Sequence, residues 1–135
     1  MGFEGGVKSI IPSILRGLFL LLRHRIPVPR DPEREAFVLR VKAIDAVFKA
    51  GDVERTLGLL PALMAMGPER EILSKKKSHY LASLALRSLS RGDPASALRF
   101  LDLADIHVRD DHLTAFLRNE RAEFREEAER ARGAK

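Results

Sequence analysis

Cysteine and tryptophan are absent from the 135 residues, and there is one tyrosine. Without cysteine there is no disulfide framework and no thiolate metal site, and the usage fits a reducing compartment. That places the chain in the cytoplasm. Strand signals are equally scarce: no stretch alternates apolar and polar residues with the Val, Thr and Tyr enrichment of a sheet, so no strands are expected. Nor is there a run that could cross a bilayer. The longest apolar stretch, Ile10 to Leu22, is interrupted by Arg16 and falls well short of the roughly 20 residues a spanning helix needs. The same Arg16 splits it as a signal peptide, and no small-residue cleavage site follows.

What is present suits one helical domain. Hydrophobic residues make up 45% and charged residues 32%, which is ordinary globular composition with a surface rich in ion pairs. A chain of this length buries one modest core. The net charge of +5 is unevenly placed. Residues 1–30 carry five basic groups against Glu4, and residues 67–92 carry six against Glu69 and Glu71, whereas 93–111 holds five aspartates against Arg99 and Arg109. Patches of opposite sign favour docking or self-association over binding a uniform polyanion.

Helix signals repeat along the chain. "SIIPSILRGLFLLLR" places Ile10, Ile11, Ile14, Leu15, Leu18, Phe19 and Leu22 on one face of a basic amphipathic helix. The proline-rich "HRIPVPRDP" then reads as an extended linker, so residues 1–30 form one segment and 31–135 a helical domain. Asp31 and Pro32 open a helix expected to reach Ala50. Gly51 ends it, and Asp52 caps a helix from Val53 to about Met66, in which Pro61 should introduce a kink. Further helices are expected over Glu69–Ser90, Pro94–Val108, and from Asp110 or Asp111 to the end, where the chain becomes mostly charged and reads as a solvated cap. Six helices result.

Two of the corners are alike: "DAVFKAGDVERTLGLLPALMAMGP" and "LRSLSRGDPASALRFLDLADIHV". Each sets Gly-Asp after an apolar helix and begins another about two residues later. Leu81, Leu84 and Ala85 precede the second corner, while Gly92, Asp93, Ala97, Leu101 and Ala104 follow at fixed offsets. This pattern resembles the tetratricopeptide repeat (TPR) over about residues 37–111, with Thr56 where an alanine is usual and Ile44 where a small residue is usual. The corners lie 92 − 51 = 41 residues apart, against about 34 in that family. The surplus seven residues, around "REILSKK", add nearly two whole turns and keep the buried face in register.

The resemblance implies an all-α fold of TPR-like stacked hairpins, with an N-terminal amphipathic helix and a C-terminal capping helix, serving as a non-enzymatic protein–protein interaction module. Its concave groove would be lined by Val38, Val41, Asp45, Phe48 and Lys49 from one first helix and by His79, Ala82, Leu86 and Leu89 from the other. Val41, Asp45 and Ala82 do not match the positions with which family members grip a chaperone's terminal carboxylate. A mainly apolar groove wants an amphipathic helix from a protein or peptide partner, and residues 10–22 supply one in cis or between protomers of a homo-oligomer.

Two other classes compete. The basic helix at 10–22 could lie on a membrane surface, making the protein peripheral to the inner membrane. A pI near 10.0 and Lys75, Lys76 and Lys77 suggest nucleic acid, but consecutive lysines on a helix diverge and no aromatic platform accompanies them. His24, His79, His107 and His112 show no zinc-helix spacing, and no phosphate loop or nucleophile motif occurs, so no enzyme activity, metal site or cofactor is expected.

Overall fold

The computed structural model describes residues 29–134; the expected docking helix at 10–22 lies outside them. Among the described residues there is no strand, and five α-helices form: α1 Pro32–Lys49, α2 Val53–Met64, α3 Glu71–Ser90, α4 Pro94–His107 and α5 Ala115–Gly133. None is long and apolar enough to cross a membrane.

The helices pair as two hairpins, α1 with α2 and α3 with α4, and α5 lies against both helices of the second. The two hairpin corners share the same stop and the same cap. At the first, Gly51 takes φ 92°, its N–H bonds the Phe48 carbonyl, and the Asp52 N–H bonds the Val47 carbonyl. At the second, Gly92 takes φ 76°, its N–H bonds the Leu89 carbonyl, and the Asp93 N–H bonds the Ser88 carbonyl. This is a Schellman stop, which needs the left-handed conformation that glycine adopts most easily. The aspartate then caps the next helix: Asp52 Oδ1 accepts from the Arg55 N–H at 3.0 Å and Asp93 Oδ1 from the Ser96 N–H at 3.1 Å. Thr56, fully buried, satisfies its hydroxyl on the Asp52 carbonyl at 2.8 Å, which is how a threonine fits a site where the matching residue is Ala97.

Away from these corners the boundaries differ from expectation. Helix α2 stops at Met64 rather than Met66, with Ala65 closing onto the Pro61 carbonyl. Helix α3 begins at Glu71 rather than Glu69, because Gly67 to Arg70 forms a turn closed by the Arg70 N–H on the Gly67 carbonyl. Asp110–His112 forms only a 3-10 turn; α5 starts at Ala115, with Thr114 Oγ1 accepting from the Leu117 N–H.

The core runs through both hairpins and includes Phe48, Leu60, Leu63, Leu73, Leu81, Leu84, Phe100 and Leu101, all fully buried. Phe48 and Phe100 meet edge to face with centroids 5.8 Å apart, joining α1 to α4. Helix α5 is held differently: it buries only Ala128 fully, and its Phe116 is 71% exposed. Arg121 pairs with Asp110 at 2.6 Å and Arg125 with Asp102 at 3.1 Å. Three of the five aspartates of 93–111, Asp102, Asp105 and Asp110, thus pair with arginines of α5.

Candidate partner-binding groove

Helices α1 and α3 flank an open groove. Its apolar end, about 230 Å³, is floored by Phe37 and walled by Val38, Val41, Lys76, His79, Tyr80 and Ser83. Val41, Tyr80 and Ser83 also line its polar continuation, where Lys42, Asp45, Lys49 and Arg87 stand. These residues fall on the groove because α1 offers 38, 41, 45 and 49, and α3 offers 76, 79–80, 83 and 87, each spaced as one helical stripe.

Asp45 ties the two walls together. Its Oδ1 accepts from the Tyr80 hydroxyl at 3.0 Å and from Arg87 Nη1 at 2.7 Å, Arg87 Nη2 approaches Oδ2 at 3.4 Å, and Lys49 Nζ lies 3.4 Å away. Burial pushes the Asp45 carboxyl up, but the hydrogen bonds from Arg87 and Tyr80 and the nearby positive charges outweigh it and hold the group below its ordinary value. Tyr80 is driven far up, by burial first and then by the Asp45 charge, so its hydroxyl stays a donor. Arg87 also lies over the Phe48 ring at 4.7 Å, and Arg91 covers the same ring at 4.3 Å while donating to the Phe48 carbonyl.

Of the nine groove residues expected from sequence, Val38, Val41, Asp45, Lys49 and His79 line the groove. Phe48 and Ala82 do not: Phe48 is fully enclosed by Arg87, Arg91 and Phe100, and Ala82 is 2% exposed. Leu89 packs against the core, and Leu86 is 42% exposed but is not among the groove's lining residues. The α3 stripe is thus rotated by one residue from the expected 79, 82, 86, 89. Phe37, Lys76, Tyr80, Ser83 and Arg87 were missed, although Lys76, Tyr80, Ser83 and Arg87 recur at helical spacing in the sequence.

Comparison with protein-family models, curated proteins and solved structures finds no match to the chain.

The groove has a definite charge. Lys42, Lys49, Lys76 and Arg87 stand around it, and the one carboxylate lining it, Asp45, is already engaged. At its rim His79 Nδ1 lies 3.6 Å from Glu120 Oε1 of α5.

Proposed function

We propose that the protein is a non-enzymatic interaction scaffold, a TPR-like stack of hairpins whose α1/α3 groove takes an amphipathic helix from a partner protein. The observation that carries this reading is the open apolar trough of Phe37, Val38 and Val41 continuing into a basic rim. A helix with apolar residues at i, i+3, i+4 and i+7 and acidic residues beside them complements both parts. The chain's own segment 10–22 is apolar but basic, so it suits this rim less well.

The test is a fluorescence-anisotropy titration of the full chain with three labelled synthetic helices: leucine-striped with glutamate flanks, the same stripe with lysine flanks, and a scramble. The glutamate peptide binds at least about tenfold tighter than the lysine peptide, and added salt narrows the gap. Val41→Asp abolishes binding while the far-ultraviolet circular dichroism is kept. Equal affinity for the three peptides, or binding by none, refutes the reading. A membrane-surface role resting on residues 10–22 is the competing outcome, seen if the chain sediments with anionic vesicles and ignores all three peptides.

A further inference from the structure

Helix α5 is joined to the second hairpin by a different kind of contact from the one that joins the hairpins to each other. Between Leu117 and Ala128 the positions sheltered from solvent are 117, 120, 121, 124, 125 and 128, and three of these, Glu120, Arg121 and Arg125, are charged. Two of the four buried side-chain atoms without a hydrogen-bond partner among the described residues, Glu120 Oε1 and Arg121 Nη1, belong to this helix. A carboxylate oxygen or guanidinium N–H taken out of water and left unbonded opposes docking. What holds α5 is ionic: Arg121 pairs with Asp105 and Asp110, and Arg125 with Asp102 and Asp105. These three carboxylates are 48 to 64% exposed, so water and salt reach every pair. The joint between the hairpins, by contrast, holds Phe48 against Phe100, both fully buried.

The connector suits an opening of α5 alone. Within 108–114 the only element is the turn Asp110–His112, and it is anchored on α3: Ser74, 2% exposed, meets His112 Nδ1 through its Oγ at 2.7 Å, and Leu113 is buried beside it in sequence. Thr114 then stands exposed between this anchored turn and the start of α5. We propose that α5 is a detachable strap. It leaves the second hairpin as a unit, pivoting at Thr114, while α1 to α4 and the anchored turn stay folded, and ionic strength sets how often it does so. Opening carries Glu120 away from His79, a residue of the groove, and so changes the charge that the groove's rim presents. The strap rests on the contacts of α5 and not on what the groove binds, so its failure and that of the peptide titration are separate results.

Hydrogen exchange of the full chain, followed by NMR residue by residue and expressed against unfolded rates, tests this. Amides 123–128, in the middle of α5, exchange at least about 100-fold faster than amides 81–85 of α3, as expected of a partial opening. Raising sodium chloride from about 0.05 to about 1 M speeds the α5 set about fivefold or more and leaves the α3 set within about twofold. Low urea speeds the α5 set with a shallower dependence, because less surface opens. Arg125→Gln, which breaks the pairs with Asp102 and Asp105, speeds the α5 set and leaves the α3 set unchanged. Equal protection of the two sets, or one urea dependence for both, overturns the proposal, since α5 then opens only when the whole domain unfolds. Fast exchange of 123–128 that salt leaves unmoved overturns it as well, because the pairs would not be what holds the strap.

Discussion

Replacing Asp45 by alanine should loosen the joint between the hairpins more than any other exchange in the groove. The carboxylate is 19% exposed and accepts from Tyr80 and Arg87, which sit 35 and 42 residues away in sequence. Its removal leaves the buried Tyr80 hydroxyl without its acceptor, a loss of about 1–2 kcal/mol. Arg87 keeps 30% exposure and can turn toward water, so its share is discounted to about 1 kcal/mol. The total, about 2–3 kcal/mol, corresponds to a fall in Tm of about 10 °C or more for a domain of this size. Tyr80→Phe removes one donor and leaves the ion pair, costing about 1 kcal/mol. In the double variant no hydroxyl is stranded, so the two losses fall short of additivity by about 1 kcal/mol. Thermal and urea unfolding of the four proteins measures this. A Tm for Asp45→Ala within about 2 °C of the parent, or full additivity, would refute the account of Asp45 as the tie between α1 and α3.

The same carboxylate gives a pH signature. Its pKa is lower folded than unfolded, so the unfolded chain takes up the proton first. The stabilisation is complete above the ordinary carboxylate range and disappears as pH falls through the lowered folded value; Asp45→Asn should flatten that part of the acid limb in pH-dependent urea melts. Lys77 works in the opposite direction: 1% exposed, with its ammonium on the Met64 carbonyl, its pKa is lowered by burial against the opposing charge of Glu33. The unfolded chain holds this proton more tightly, so stability rises as pH climbs toward the ordinary lysine value, and Lys77→Met removes that rise while changing stability by no more than about 1 kcal/mol. Gly67→Ala should cost about 2 kcal/mol in urea unfolding, because its Cβ would come within 2.5 Å of Cδ1 of the fully buried Leu73 and 3.1 Å of Glu33 Oε1. Gly51→Ala meets open space and costs about 1 kcal/mol from its left-handed backbone alone, so a reversed order would refute the steric account.

The hairpin corners were legible because everything they need is local. A glycine in the left-handed region and an aspartate one residue on are both visible in a four-residue window, and the corners at 51 and 92 share the two backbone bonds of the stop and the aspartate cap. The connectors were less legible. Gly67-Pro68 looks like another stop and start, yet the chain spends Gly67–Arg70 on a turn before α3 begins, and Asp110 opens only a 3-10 turn, with no side-chain cap. The α1 side fell on 38, 41, 45 and 49, but Phe48 is drawn into the core by Phe100 and roofed by two arginines from a helix about 40 residues away, which no local pattern discloses. On α3 the buried side is unusually wide, taking in Ser74, Lys77, Ser78 and Ala82, so polarity alone did not say which stripe faces outward. Asp45 stands in the groove as expected, but as a tie between its walls rather than as a free contact.

Each corner aspartate finishes one helix and starts the next, so no residue in the bend is idle. Adding or removing one there would swing everything downstream by about 100° and turn its oily side to water. Length can change cheaply only by whole turns, or in the looser joins at 65–70 and 108–114.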